Sequence, residues 1–450
     1  MKAVKVILIV VAVLVALVIL VVGAGIFFTD RYLQSPAFKE TVLKTAHDEL
    51  GADVRIEEMH ASLFSGVELR GVVVGNPAGF GGNLVTAEAF VLRYRLWPLL
   101  RRRVEIEQLS LDKPVITLAR NDTGDWNYEK FGVKEGKAKP ATATSQPAAT
   151  TKSAAATSLD VVLSKLAIAR GSVSMVSEKN KPLVKLDGIN FSSSVSLLDN
   201  KLAGTGKAGI DKINLADALF VEKVATPVTF DADQVKLTAL SGTLAKGALA
   251  GDVAIKISDG FQYIVNLQVK DGDVGTFFRD AGGKQVLSGT LKANVAVAGT
   301  GGLPTIIGNG RAEIDDGKLM EIPLLNLLAT VLQIDMLHDL GFSECVLEFS
   351  ISNNVMQTPV IRLTSPEIRI TGKGSISLDD HSLRHNMTLT FTKGVLDRYP
   401  NEIRNVFTEQ ADGSRALDFK VTGTYDKPKT DLGKRILKGI GQQLLQQLSK

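Results

Sequence analysis

Two short runs of residues carry side chains of the kind that bind cofactors or metals. Residues 204–209 read Gly-Thr-Gly-Lys-Ala-Gly and match the G-x-G-x-x-G pattern of dinucleotide-binding sites. That pattern needs a buried parallel strand before it and a helix after it, and the surrounding sequence predicts neither. The second run has metal-ligand side chains at Asp379, Asp380, His381 and His385. Its paired aspartates are typical of a hairpin turn, so we predict a glycine-bearing strand and turn in the first run and a solvated turn in the second.

Composition and charge exclude several further chemistries. Cys345 is the single cysteine, so the chain has no internal disulfide and no multi-cysteine metal site. Its sequence context has no recognisable nucleophile motif, which favours a small apolar strand residue. The 52 Lys and Arg residues against 48 Asp and Glu residues leave a formal net charge of +4, too small for a distributed nucleic-acid surface. We therefore predict a protein that is not an enzyme, uses no cofactor or metal and binds no nucleic acid.

The N-terminus carries an uncharged apolar run over residues 6–28. Its 23 residues reach about 34 Å as a helix, enough to cross a bilayer core of about 30 Å. A cleavable signal peptide is the alternative, but the apolar region of such a peptide is usually only about 7–15 residues long. Lys2 and Lys5 precede the run, and the positive-inside rule keeps that end in the cytoplasm. We predict a retained single-pass anchor over residues 1–30, with the bulk of the chain exported.

Beyond Ala52 the apolar residues alternate with polar ones, as in antiparallel strands with one wet face. The clearest apolar positions of this alternation are Tyr263, Val265, Leu267, Val269, Leu347, Phe349, Ile351, Met387, Leu389 and Phe391. Residues that favour turns punctuate the pattern at 271–273, 315–317 and 412–413. The sequence therefore predicts a mainly β protein built from antiparallel strands.

A few segments depart from the β pattern. Residues 36–50 place apolar side chains near one helical face and end at a glycine, residues 322–340 form a Leu-rich run typical of a buried helix, and residues 431–450 form a basic amphipathic helix. Residues 132–158 are rich in Ala, Thr, Lys, Ser and Pro, which predicts a disordered linker. Because the linker has little to bury, we expect that residues 134–156 can be deleted without loss of folding.

These features predict an order of segments along the chain. They are the anchor (1–30), an N-terminal β region (31–131), the linker (132–158), a β body (159–318), a helical insertion (319–342), a C-terminal β region (343–430) and the amphipathic helix (431–450).

An internal similarity joins the two sides of the linker. Residues 106–119 align without gaps with residues 163–176, and their apolar positions coincide. Each segment reads as a strand, a turn at Lys113-Pro114 or Arg170-Gly171, and a second strand, so reuse of one hairpin unit along a growing sheet is one interpretation. A chance likeness between two amphipathic hairpins is the other.

Several motifs between residues 54 and 127 occur together in one family of bacterial envelope proteins. They are Arg55-Ile56, Ser62-Leu63-Phe64-Ser65-Gly66-Val67, Val74-Gly75-Asn76-Pro77-Ala78-Gly79-Phe80, Leu92-Arg93-Tyr94-Arg95-Leu96-Trp97-Pro98-Leu99-Leu100, Ile106 through Leu118, and Gly124-Asp125-Trp126-Asn127. This region resembles the N-terminal region of the AsmA family. Residues 367–378 and 421–429 resemble the C-terminal region of the same family, and Ser65 stands where the family often has proline.

The resemblance implies a protein of the bacterial inner membrane, with its N-terminus in the cytoplasm and the bulk of the chain in the periplasm. The family is similar to bridge-like lipid transfer proteins, whose repeated β units build a long curled sheet with a taco-like apolar groove for acyl chains. It implies a role in phospholipid transport to the outer membrane and in outer-membrane biogenesis. The expected partners are then phospholipid acyl chains and the inner membrane.

The residues by themselves leave two ways to cover the apolar face of a one-sided sheet that has few helices. The sheet can fold onto its own side chains and form a filled core, or it can stay a trough whose apolar strip takes a ligand. The resemblance favours the trough, lined by the ten alternating positions given above. The alternative is a structural or regulatory envelope protein that carries no lipid and affects outer-membrane protein assembly.

Two basic features add candidate contacts. One surrounds Trp97-Pro98 and comprises Arg93, Arg95, Arg101, Arg102 and Arg103, which suits either anionic headgroups or a solvated turn between strands. The other is the C-terminal helix, whose apolar stripe comprises Ile436, Ile440, Leu444 and Leu448. This stripe either caps the end of the sheet or contacts the outer membrane or an envelope protein as an interfacial helix.

Overall fold

The computed structural model describes residues 35–62, 66–95, 97–98, 103–130, 160–177, 181–199, 201–257, 260–301, 305–320, 329, 338–397, 399–425 and 427–448. Over these residues the protein is mainly β, with 21 strands and 4 short helices, so the mainly β part of the predicted fold class is confirmed. The anchor predicted over residues 1–30 and the linker predicted over residues 132–158 lie outside the described residues. Within the described part, no helix has both the length and the apolar character needed to span a membrane.

The chain divides into two compact units. The first comprises residues 1–217 and 222–237, and the second comprises residues 218–221 and 238–450.

The first unit begins with a helix and continues with strands. Its elements are α1 (Pro36–Leu50), β1 (Val54–Ser62), β2 (Gly66–Gly75), β3 (Asn83–Arg95), β4 (Arg103–Asp112), β5 (Val115–Ala119), a 3-10 turn (Asn127–Lys130), β6 (Asp160–Val176), β7 (Pro182–Leu198), β8 (Lys201–Leu215) and most of β9 (Leu219–Asp231). Strands β1 to β4 pair antiparallel in sequence order, and β6, β7 and β8 do the same.

Helix α1 forms where the sequence predicted it and covers part of the sheet of the first unit. Ser35 caps its start by accepting a hydrogen bond from the Phe38 backbone N–H at 3.3 Å, and Gly51 ends it with a φ of 66°. Its apolar stripe comprises Phe38, Val42, Ala46 and Leu50. All four side chains are buried, in clusters that also contain side chains of β1 to β4. One end of this unit is therefore a conventional filled core.

Two parallel pairings interrupt the antiparallel order of the first unit. Strand β6 pairs with β4 from Arg103 opposite Asp160 to Asp112 opposite Ala169, and it continues along β5 as far as Ala119 opposite Val176. The sequence predicted antiparallel strands throughout, so this part of the prediction is wrong and the sheet is mixed.

The parallel register coincides with the internal similarity found in the sequence. Ile106 lies opposite Leu163 and Ala119 lies opposite Val176, which is the gap-free alignment of residues 106–119 with residues 163–176. The similarity is therefore a structural repeat, but the hairpins predicted from it are wrong. Lys113 and Arg170 adopt positive φ angles of 45° and 56° and bend their strands, and β6 continues past its bend as one strand of 17 residues.

Parallel pairing requires the chain to return from the end of β5 to the start of β6. The buried Asn127 holds the chain in place just after β5. Its Nδ2 donates to Thr117 O and to Asn76 Oδ1, both at 2.8 Å, and its Oδ1 accepts from Ala119 N at 3.1 Å. These bonds join two of the motifs that carry the family resemblance, residues 74–80 and 124–127. The segment predicted as a linker thus makes the crossover connection of a parallel pair.

The second unit contains the remaining strands and three helices. Its elements are most of β10 (Gln234–Leu244), β11 (Gly247–Lys256), β12 (Gln262–Asp273), α2 (Val274–Asp280), β13 (Leu287–Thr300), β14 (Ile307–Met320), β15 (Asp339–Ser352), β16 (Val355–Thr364), β17 (Ile368–Ser377), β18 (Leu383–Phe391), α3 (Asn401–Arg404), β19 (Thr408–Glu409), β20 (Arg415–Thr424), β21 (Lys427–Thr430) and α4 (Leu432–Leu448). Strands β11 to β18 pair antiparallel in sequence order, and β20 pairs with β18, β19 and β21.

Two of the three predicted turns are bends or caps instead. Residues 315–317 lie inside β14, where Asp316 has a φ of 48°. Residues 271–273 end β12, and Asp273 caps α2 by accepting from the Thr276 N–H. The predicted turn at 412–413 does reverse the chain, between β19 and β20. Asp and Gly adopt positive φ more readily than most residues, so they suit a bend within a strand as well as a hairpin.

The boundaries of the predicted helical insertion shift. Strand β14 extends to Met320 and β15 begins at Asp339, so residues 319–320 and 339–342 belong to strands. Between them Ala329 is helical and buried, and the other residues of the predicted helix, apart from His338, lie outside the described residues.

Candidate functional site

One row of side chains crosses nine strands of the second unit. The strand registers place these residues opposite one another in turn: Leu249, Val269, Ala293, Ala312, Leu347, Ile361, Gly372, Met387 and Phe419. Every member is apolar or glycine. Val269, Leu347 and Met387 were predicted from separate strands of the sequence to lie on an apolar face, and the register brings them into this single row.

Two further rows run beside the first. One comprises Gly251, Leu267, Val295, Gly310 and Phe349. The other comprises Val253, Val265, Val297, Gly308, Ile351, Met356, Ile376 and Leu383. Tyr263 lies beyond them on the same face, opposite Ile255 and Gly299. We call these three rows, with Tyr263, the apolar face of the second unit.

Exposure divides the ten predicted lining residues into two groups. The first group is half-buried and comprises Tyr263, Val265, Leu267, Leu347, Phe349, Ile351 and Met387. The second group is buried, with Val269 at 6%, Leu389 at 1% and Phe391 at 0% exposed. Most of the predicted positions are therefore partly accessible, whereas the sheet is filled around Leu389 and Phe391 of β18 and at Val269 of β12.

The filled end is a core closed by helices. Phe391 packs edge-on against Phe407, with ring centroids 5.2 Å apart. Leu432 and Ile436 of α4 are 0% and 1% exposed in the same cluster. The first turns of the C-terminal helix thus cap the sheet. Capping is one of the two roles predicted for the apolar stripe of this helix. The side chains of Ile440, Leu444 and Leu448 lie outside the described residues.

Large side chains of the apolar face lie flat over glycines of the neighbouring strand. A Cβ atom added at Gly299 would overlap the Tyr263 ring, and one at Gly310 would overlap the Phe349 ring. Met387 covers Gly372 in the same way. Because glycine has no side chain, the larger residue beside it covers the sheet surface and adds apolar area without standing up from the sheet.

We expect Gly299→Val to lift the Tyr263 ring, because the three atoms nearest to the added Cβ all belong to the Tyr263 side chain. Overpacking of this kind costs about 1–3 kcal/mol, so the protein should still fold. The raised ring should occupy space above the apolar face and reduce the phospholipid that co-purifies with the protein. The double variant with Tyr263→Ala should restore phospholipid content, and a double variant that stays empty would contradict this account.

The opposite face of the same strands is polar and carries ion pairs. Arg311 contacts Glu348 at 2.5 Å and Glu313 at 3.1 Å, and Lys292 contacts Asp315 at 2.6 Å. Val346 is an exception that alternation missed: it is 0% exposed although its register partners are Glu313 and Arg362. The two faces of the sheet therefore differ in chemistry, as the alternation predicted.

The metal-ligand side chains of the second run do not converge. His385 is buried, and its Nε2 lies 2.9 Å from Thr358 Oγ1, whereas His381 is exposed and its ring packs on Tyr425. Asp380 sits in the turn between β17 and β18, where hydrogen bonds from Ser377 and Ser382 lower its pKa to about 2. Among the described residues no cluster of His, Cys, Asp and Glu could hold a metal ion. The prediction of a solvated turn is confirmed for residues 379–381, whereas His385 lies buried within β18.

Burial makes His385 a source of acid sensitivity, because desolvation lowers the pKa of its imidazole. Between about pH 7 and pH 5 the unfolded chain therefore binds a proton that the folded chain excludes, and stability falls as pH falls. The slope from one such group is at most about 1.4 kcal/mol per pH unit. We expect His385→Gln, which can keep the hydrogen bond to Thr358, to make the melting temperature less dependent on pH. An unchanged pH dependence would contradict this role of His385.

The remaining candidate residues have structural roles. Residues 204–209 lie within β8, where Gly204 is covered by the Phe230 ring and Gly206 packs against Ser193. The strand prediction for this run is thus confirmed, although it contains no turn. Cys345 is a half-buried strand residue opposite Ile314 and Leu363, and burial raises the pKa of its thiol.

The basic cluster of the first unit is only partly available for anions. Arg95 contacts Glu107 at 2.5 Å, and Arg103 contacts Glu105 at 3.1 Å. Arg93 is exposed, and Arg101 and Arg102 lie outside the described residues. Trp97, at the centre of the cluster, is 83% exposed.

The described residues thus define a mainly β protein with an apolar face that is partly accessible and with no recognisable metal cluster. The sequence model of the AsmA family matches residues 1–234, more than half of the 450-residue chain. The chain therefore belongs to the AsmA family. None of the curated proteins and none of the solved structures matches it. The C-terminal resemblance over residues 367–378 and 421–429 lies beyond the matched part and stays a prediction.

Proposed function

We propose that the protein is anchored in the bacterial inner membrane through residues 6–28 and holds phospholipid acyl chains on its apolar face in the periplasm. In this role it assists phospholipid transport to the outer membrane and outer-membrane biogenesis. Membership of the AsmA family supports the setting. The observation that carries the proposal is the set of half-buried apolar residues that the strand registers align into continuous rows.

Binding on such a face needs no specific polar contact. Each methylene that leaves water for an apolar surface contributes about 0.8 kcal/mol, so an acyl chain that crosses several rows gains affinity from area alone. Large side chains that lie flat over glycines provide this area without blocking the face. In this proposal the protein acts passively, because apolar burial alone holds the acyl chain.

The filled ends of the units favour a second candidate function. Helix α1 covers part of the first unit, and α4 closes the end of the second. If the remaining face is also covered in the cell by another protein, the chain is a structural or regulatory envelope protein that carries no lipid and affects outer-membrane protein assembly.

The two candidates differ in what touches Leu267. A photo-reactive amino acid placed at Leu267 of the full chain in cells should cross-link to phospholipid, because this side chain lies on the apolar face. The matched control is Gln268, the next residue of β12, which is exposed on the opposite face and should give no lipid adduct. Protein adducts at Leu267 without lipid would favour the second candidate instead.

A further inference from the structure

One edge of the first unit collects the ends of several strands. Ser62 ends β1 opposite Gly66, the first residue of β2, and Arg95 ends β3 opposite Glu105 near the start of β4. The Tyr94 hydroxyl donates to Ser62 O at 3.2 Å and ties the two parts together. We call this edge, together with Trp97 and Pro98, the Trp97 edge.

Helix α1 starts near this same edge. Phe38, in its first turn, belongs to the buried cluster of Ala61, Leu92 and Tyr94, whereas Leu50 at the other end of the helix belongs to a different cluster, near β5. The helix therefore runs away from the Trp97 edge.

The uncharged run of residues 6–28 connects to the start of α1 through residues 29–34. Six residues can span at most about 25 Å even when fully extended. If residues 6–28 lie in a bilayer, as the proposed function holds, the start of α1 therefore lies within about 25 Å of that bilayer, and the Trp97 edge is the edge nearest to this start. The opposite edge, where β5 ends and Trp126 lies, is about 50 Å from the Trp97 edge along the strands.

Trp97 is the most exposed large apolar side chain among the described residues, at 83%. It follows β3 directly and has Pro98 beside it in a short 3-10 turn. An indole ring combines a large apolar body with one N–H donor, and tryptophan is enriched where hydrocarbon meets headgroups.

Charge contributes less to membrane contact at the Trp97 edge than the sequence suggested. Of the three arginines described at this edge, Arg95 and Arg103 are paired with Glu107 and Glu105. With Arg93 the described charges of these five residues sum to +1, a weak attraction to an anionic surface.

We infer that the Trp97 edge seats in the headgroup region of the bilayer that holds residues 6–28, with the Trp97 indole as its main apolar contact. This inference rests on the membrane anchor of the proposed function. It gives the first unit a fixed orientation, with β1 to β4 rising from the membrane.

The chain has two tryptophans, Trp97 and Trp126, and both lie in the first unit. Each can therefore serve as the control for the other. Trp126 is half-buried and stacks on Tyr128 with ring centroids 5.8 Å apart. Full-length Trp126→Phe retains only Trp97, and full-length Trp97→Phe retains only Trp126. Each variant is reconstituted in phosphatidylcholine vesicles with and without bromine atoms near the carbonyl end of the acyl chains, which quench only indoles at that depth.

Trp97 fluorescence should fall by about half in brominated vesicles, and Trp126 fluorescence should not change, since only Trp97 reaches the interface. The quenching should persist in about 0.5 M salt, because apolar contact is not screened. Equal quenching of the two residues, or none at Trp97 while the protein resists alkaline extraction, would overturn the seating and leave the anchor intact. Release of the protein by alkaline extraction would overturn both.

Discussion

Leu389→Asn will strongly destabilise the second unit, whereas Leu267→Asn will leave its stability nearly unchanged and deplete it of phospholipid. Leu389 is 1% exposed in the core closed by α4, so the variant loses apolar burial and leaves an amide without a partner. The combined loss of about 3–5 kcal/mol is a large share of the roughly 5–15 kcal/mol that stabilises a folded domain.

Leu267 lies on the same face but is half-buried, with Gly251 opposite it on β11 and Val295 opposite it on β13. Its amide can reach water when no ligand is present, so the expected loss of stability is about 1 kcal/mol. The variant should instead lower the affinity for phospholipid, because a polar group then interrupts the apolar row that contacts an acyl chain.

The measurement combines the urea midpoint of the full-length variants with the phospholipid extracted per mole of protein. Gln268→Asn and Thr390→Asn are matched controls, since each introduces the same side chain next to a test position but on the other face. Equal destabilisation by Leu267→Asn and Leu389→Asn, together with wild-type protein free of phospholipid, would show that the whole face is a filled core.

Deletion of residues 134–156 will prevent β6 from pairing with β4 and β5. The parallel ladder extends from Arg103 opposite Asp160 to Ala119 opposite Val176, a length of about 50 Å. Asn127 holds the chain at the far end of this ladder through three hydrogen bonds. The deletion leaves six residues between Lys130 and Asp160, which reach only about 25 Å.

This expectation reverses the one drawn from composition, in which the segment is dispensable because it buries little. The control replaces residues 134–156 with a Gly-Ser sequence of equal length, which restores the reach and should restore folding. Limited proteolysis and the urea midpoint report the result. A deletion variant as stable as the wild-type protein would show that β6 does not pair in parallel with β4.

The sequence determined those features of this protein that depend on local pattern. Alternation with a period of two residues gave each strand an apolar and a polar face, which is why the pattern alone places ten residues on an apolar face. Helix α1 was predicted with its limits because an apolar stripe at helical spacing and a glycine stop lie in one short segment. The family assignment also came from linear motifs and is confirmed by the match over residues 1–234.

Tertiary structure decided what depends on which strand lies beside which. Bends at Lys113 and Arg170 look like hairpin turns in the sequence, because the residues that bend a strand are those that reverse a chain. Only the pairing partner distinguishes a bend within a strand from a hairpin turn. Because β6 pairs in parallel with β4 and β5, the repeat is a parallel pair and the predicted linker is its crossover connection. Pairing also separated Leu267 from Leu389: both alternate identically in the sequence, but helix packing buries one and leaves the other partly accessible.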